Sequence, residues 1–174
     1  MEKTVKQSVL RCVKGDITQM EVEAFVFYAR PDLKLGTGFG NAIAMRGGPG
    51  IQQELDQLGR AETGEVVVTG AGRMKAKNIL HAVGPRFQEP RLEEKLQTTI
   101  QNALRVADQK GIRQIAFPPM GAGFWGVPLD ASVAITVDTI QEYLQNETQI
   151  REVVLCANDN REYRAFQAYL EKLS

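Results

Sequence analysis

Residues 114–130 read Gln114-Ile115-Ala116-Phe117-Pro118-Pro119-Met120-Gly121-Ala122-Gly123-Phe124-Trp125-Gly126-Val127-Pro128-Leu129-Asp130. The apolar run 114–118 reads as a buried strand, and Pro128-Leu129-Asp130 reads as the start of a helix. Between them lies a loop dense in glycine with two adjacent aromatics. A glycine-rich loop between strand and helix exposes backbone N–H groups beside a positive helix end. That geometry cradles phosphate without a basic side chain. The aromatic pair suits contact with a sugar or a base. The segment is therefore a candidate site for a phosphorylated, nucleotide-like ligand.

Outward from this loop the chain alternates strand and helix patterns. Residues 8–13 read as a strand ending at Gly15-Asp16. Residues 24–28 are continuously apolar, which suits an inner strand covered on both faces. Residues 31–40 read as a Gly-rich loop. A helical stretch from Asn41 is interrupted by Gly47-Gly48-Pro49-Gly50, and a short helix over 51–58 ends at Gly59. Strands over 65–69 and 78–83 flank a basic turn at 73–77, which reads as solvated. The spacing of Leu92, Leu96, Ile100, Ala103, Leu104 and Ala107 predicts a helix over 92–110. A helix over about 130–145, a strand over 153–157 and a last helix over 162–173 follow. The expected fold is α/β, with a largely parallel sheet and helices on both faces, in one domain over 1–174. In such sheets ligands sit beyond the carboxyl ends of strands. The loops at 15–18, 31–40 and 121–126 all follow strands and are expected to converge on one cleft.

Composition narrows the function classes. Hydrophobic residues make up 43% and charged residues 24%, ordinary values for a globular domain, and the formal net charge is zero. Neutrality gives no global pull toward nucleic acid or membrane. No stretch is long and apolar enough to span a bilayer, and the N-terminus lacks the apolar core of a signal peptide, so a cytoplasmic location is the expectation. Cys12 and Cys156 read as reduced, buried thiols. His81 is the single histidine. It sits mid-strand, reads as structural, and has no second histidine to build a metal site with. Gly36-Thr37-Gly38-Phe39-Gly40 is a weak match to a dinucleotide fingerprint, because the third glycine falls one place early. Arg30 reads as a solvated loop charge, with contact to a phosphate or carboxylate as the competing reading.

The order of motifs resembles the macrodomain family. The resemblance rests on Gly15-Asp16-Ile17-Thr18, the apolar strand ending at Tyr28, Gly36-Thr37-Gly38-Phe39-Gly40-Asn41-Ala42-Ile43, Gly48-Pro49-Gly50, Thr63-Gly64-Glu65-Val66, the run from Ala76 to Pro85, and Phe117 to Pro128. It covers nearly the whole chain. It implies a three-layer α/β/α sandwich with a mixed, largely parallel sheet that binds ADP-ribose or a related nucleotide, with no other cofactor. The resemblance implies that Asp16 accepts from the adenine amino group and that the Ile17 backbone lies close to the base. It places Gly38 and Phe39 at the phosphates and distal ribose. It places Gly121, Ala122, Gly123, Phe124 and Gly126 around the phosphates, with Trp125 lining the distal ribose.

The departures from the family pattern bear on chemistry. Members that hydrolyse ADP-ribose linkages often carry Asn-Ala-Ala-Asn where this chain has Phe27-Tyr28-Ala29-Arg30. The polar residue many of them place in the first glycine loop is Gly40 here. The Ser-Thr that often opens the second loop is Gly121-Ala122. The aromatic that often stacks on adenine after the last strand is Asn158. Water activation needs polar groups within hydrogen-bond reach, and none stands at these positions. The expectation is therefore a binder of ADP-ribose, with no catalytic residue assigned. Two alternatives stay open: a hydrolase of ADP-ribosylated protein or an ADP-ribose ester acting through non-standard residues, and a non-catalytic reader of ADP-ribosylated protein or RNA ends.

Overall fold

A computed structural model describes residues 1–173. Its elements run β1 (Glu2–Val5), β2 (Ser8–Lys14), β3 (Ala24–Ala29), α1 (Phe39–Gly47), α2 (Gly50–Leu58), β4 (Val66–Gly70), β5 (Asn78–Val83), α3 (Leu92–Gln109), β6 (Gln114–Phe117), α4 (Leu129–Leu144), β7 (Glu152–Ala157) and α5 (Asn160–Lys172). The sheet order is β1-β2-β7-β6-β3-β5-β4. The five inner strands run parallel, and β1 and β4 are added antiparallel at the two edges. This is the mixed, largely parallel sheet expected from the sequence.

Alternation along the inner strands builds both outer layers. Ala24, Val26 and Tyr28 of β3 face one side, where they join Leu96 and Ile100 of α3, Val133 and Val137 of α4, and Phe166 and Leu170 of α5. Phe25 and Ala29 face the other, against Ile43 of α1 and Ile51 and Leu55 of α2. A strand buried on both faces has no polar position to spare, so β3 reads as an unbroken apolar run. The same alternation separates the cysteines. Cys12 packs on the α3–α5 side and Cys156 on the α1–α2 side, although β2 and β7 are neighbours. Both are free and buried.

The sequence reading missed β1. Its four residues, Glu2-Lys3-Thr4-Val5, bury only Val5, and the two-residue turn Lys6-Gln7 carries no glycine. Lys6 takes a left-handed φ of 56°, a conformation that turn sequences usually announce with Gly or Asn.

His81 is structural, as expected, and fully buried on β5. The Thr69 hydroxyl donates to Gly70 O at 2.8 Å, so it must accept from His81 Nε2 at 2.9 Å. That fixes the Nε2–H tautomer and leaves Nδ1 buried without a partner among the described residues. Burial pushes the His81 pKa down to about 4. Between pH 6.5 and 4 the unfolded chain therefore binds a proton that the folded chain does not, and stability falls as pH falls. Urea unfolding should show a loss of about 2 kcal/mol from this group between pH 7.5 and pH 5. A His81→Leu variant should lack this component of the pH dependence; an equally steep profile in that variant would rule His81 out as its source.

Candidate functional site

The three loops do converge. Beyond the carboxyl ends of β2, β3, β6 and β7 they enclose a cavity of about 390 Å³, within the range of small-ligand sites. Gly15, Ile17 and Thr18 come from the loop after β2, Thr37 and Gly38 from the loop after β3 with Phe39 at the start of α1, and Pro118, Pro119 and residues 121–125 from the segment after β6. The strand ends supply Phe27, Tyr28 and Cys156, Arg30 follows β3, Asn158 and Asp159 lie between β7 and α5, and the first turn of α5 supplies Arg161 and Glu162.

The segment after β6 folds into a single 3₁₀ turn over Gly123–Trp125. Its bonds run from Ala122 N to Pro119 O, Gly126 N to Gly123 O and Val127 N to Gly121 O. None of them uses the N–H groups of Gly123 and Phe124, which stand at the open start of the turn. Gly123 has φ 73°, and a Cβ there would meet nothing within 4 Å. Gly121 differs: with φ 84°, a Cβ would sit 2.7 Å from Val127 Cγ2. Gly121 is thus needed for packing, whereas Gly123 faces open space. Gly126, expected among the contact residues, closes the turn by donating to Gly123 O and lies outside the cavity lining.

The two aromatics separate. Phe124 is 84% exposed at the rim. Trp125 is half-buried, with its ring 4.9 Å from that of Tyr28 and 5.6 Å from that of Phe124. Tyr28 is in turn anchored by its hydroxyl, which donates to Pro85 O. Burial raises the Tyr28 phenol well above its usual pKa, with the Glu89 charge adding to the effect, so it stays a donor. Tyr28 therefore sets where Trp125 sits, a role the sequence reading did not give it. Its position at the end of an apolar strand was the available signal, since a buried tyrosine needs a partner for its hydroxyl.

At the opposite end, Ile17 and Thr18 line the cavity but Asp16 does not. Asp16 Oδ1 accepts from Thr18 N at 2.9 Å and Thr18 Oγ1 at 2.6 Å, capping a 3₁₀ turn. Its Oδ2 accepts from Arg46 Nη2 at 3.2 Å. The turn-capping role weighed for this residue is thus present. Asn158 lines the cavity, and its backbone N–H donates to Glu162 Oε1 at 2.8 Å. Asp159 caps α5 by accepting from Glu162 N at 2.9 Å. Burial raises the Glu162 carboxyl above its usual pKa and pushes the Cys156 thiol up to about 12. A thiol so far from ionising is no nucleophile at neutral pH.

Arg30 lines the cavity beside the loop that holds Gly36 and pairs with Asp32 at 2.7 Å. It is half-exposed, so the solvated reading holds for part of the side chain only. Gly40 is not an empty place that a polar side chain has vacated. A Cβ there would lie 1.6 Å from Leu35 O and 2.5 Å from Leu35 C. The loop backbone occupies that space. No group of three or more His, Cys, Asp or Glu among the described residues is arranged to hold a metal.

Known proteins share this sequence pattern and this fold. The sequence model of the Macro domain family matches residues 29–136. A macro domain-containing protein of Caldanaerobacter subterraneus subsp. tengcongensis is 34% identical, over 94% of this chain and 97% of its own. The macrodomain of Oceanobacillus iheyensis, solved with ADP, superposes with a TM-score of 0.93 at 28% identity, covering 99% of this chain and 95% of that one. The Trypanosoma brucei macrodomain, solved in complex with ADP-ribose, shares the fold with a TM-score of 0.87 at 23% identity, covering 92% of this chain and 68% of that one.

Proposed function

The chain belongs to the macrodomain family, and from that premise we propose that its cavity binds ADP-ribose or a closely related nucleotide and does not hydrolyse it. The observation that carries the reading is the convergence of three glycine-bearing loops on one cavity, with the Cβ positions of Gly38 and Gly123 facing open space. Bare backbone at both places lets a diphosphate approach the free N–H groups at 123 and 124. Trp125, held by Tyr28, walls the distal ribose, with Phe39 and Phe124 at the mouth. Ile17 and Asn158 border the base, whereas Asp16, outside the lining and tied to Thr18 and Arg46, meets its amino group only from the cavity's edge, through Oδ2. An ADP-ribosylated protein would present the same group at the open mouth.

The absence of turnover follows from what stands around the distal end. Phe27 is apolar there, Arg30 is a permanent cation tied to Asp32, and no side chain fits at Gly40. The carboxylates of Asp159 and Glu162 lie at the base end and are engaged with backbone N–H groups. A general base must reach the attacking water, and these do not stand where the scissile bond would be. Calorimetry should show ADP-ribose binding more tightly than AMP, because the diphosphate adds contacts at the second loop. Release of ADP-ribose from modified protein or from O-acetyl-ADP-ribose should be slower by about 10²–10⁴-fold than with a placed base. No heat with ADP-ribose and folded protein would overturn the binding reading; multiple turnover by the unmodified protein would overturn the non-catalytic one.

A further inference from the structure

Arg30, Arg46 and Arg161 stand in or beside the cavity, and they differ in one respect. Arg30 is held by Asp32 at 2.7 Å and Arg46 by Asp16 at 3.2 Å. The Arg161 guanidinium has no hydrogen bond or ion pair among the described residues, although it lines the cavity. Its acidic neighbours are turned to other work. Asp159 Oδ1 takes the Glu162 N–H, and Glu162 Oε1 takes the Asn158 N–H. Arg161 acts on Glu162 only through space. It projects from the second residue of α5, three places after Asn158, at the end of the cavity walled by Ile17, Thr18 and Cys156.

That end receives a planar aromatic group in the reading above, and Asn158 brings no ring to cover it. A guanidinium is planar, weakly hydrated and stacks on aromatic faces, which an ammonium does not do with the same contact area. Resting on the proposed nucleotide function, we propose that Arg161 is a ligand-binding residue that stacks on the base of the bound nucleotide. Leaving it unpaired in the free protein keeps it available at no loss of an existing ion pair. Burying one face of the guanidinium against a ring also removes apolar ring surface from water.

Charge attraction to the diphosphate is the rival explanation for any effect of Arg161, and two substitutions separate them. Calorimetry with ADP-ribose is run on the unmodified protein and on Arg161→Ala, Arg161→Lys and Arg161→Tyr. Stacking predicts that Arg161→Ala weakens binding about three- to tenfold, that Arg161→Tyr stays within about twofold of the unmodified protein, and that Arg161→Lys binds more weakly than Arg161→Tyr, because an ammonium lacks the guanidinium's flat face. The melting temperature should not move in any of them, because the side chain is exposed and unpaired. Rescue by lysine together with loss in tyrosine would assign a charge role and overturn the proposal. Unchanged binding in all three variants would overturn it equally. An unmodified protein that binds no ADP-ribose removes the function reading itself and this inference with it. Binding that is present but indifferent to Arg161 removes the inference alone.

Discussion

Gly40→Asp should unfold this protein more readily without restoring hydrolysis. The clash is with the first side-chain atom, 1.6 Å from Leu35 O, so no rotamer of any residue relieves it. The opposing backbone is not free to retreat. Leu35 is buried, its N–H donates to Gln52 Oε1 at 3.0 Å, and Gln52 Nε2 donates to Leu33 O at 3.0 Å. Gly40 N is itself held by Thr37 O at 3.2 Å. Helix α1 and the loop before it are thus pressed together through a glycine. Overpacking of this kind costs about 3 kcal/mol or more where backbone must move. For a chain of this length that lowers Tm by about 6–12 °C. Gly40→Ala should show nearly the same loss, because it carries the offending atom. A Gly40→Asp protein that melts like the unmodified one and gains turnover on ADP-ribosylated substrate would show that the loop backbone is placed otherwise.

Gly123→Val should abolish ADP-ribose binding and leave the sheet intact. The residue has φ 73°, which a β-branched side chain tolerates only with about 1–3 kcal/mol of strain. Nothing crowds its Cβ, so the core is untouched and the melting temperature should fall only by what that strain costs, about 2–12 °C. The function fails for two reasons. The isopropyl group occupies the open space a diphosphate needs, and relief of the strain re-aims the N–H groups of residues 123 and 124. A loss of about 100-fold or more, about 2.7 kcal/mol, is expected in calorimetry. Gly123→Ala, which carries less bulk at the same φ, should fall between. Normal binding by Gly123→Val would make the loop purely structural. The contrast with Gly121 is instructive, since a Cβ there strikes Val127 and lies close to the Tyr28 ring. Substitution at Gly121 should therefore lower stability first and binding as a consequence.

Periodicity and local chemistry carried the reading a long way. The 3.6-residue spacing of Leu92, Leu96, Ile100 and Ala103 located α3, and the uniform apolarity of 24–28 identified a strand covered on both faces, because these patterns record which face of an element meets the core. The glycine-rich segment at 121–126 pointed to the cavity for the same reason: bare backbone after a buried strand suits close approach to a ligand. β1 escaped because an edge strand buries one face weakly and leaves little pattern. The division of labour inside the site was legible only in three dimensions. Asp16, Arg30 and Arg161 are simply charged residues in a sequence, yet among the described residues Asp16 is tied to Thr18 and Arg46, Arg30 to Asp32, and Arg161 to no hydrogen-bond or ion-pair partner. By sequence Gly40 is a missing polar group; in the fold the Leu35 backbone fills its place. Residues that meet through space but stand many positions apart leave no periodic trace along the chain, so pairing, exclusion and availability were decided by packing.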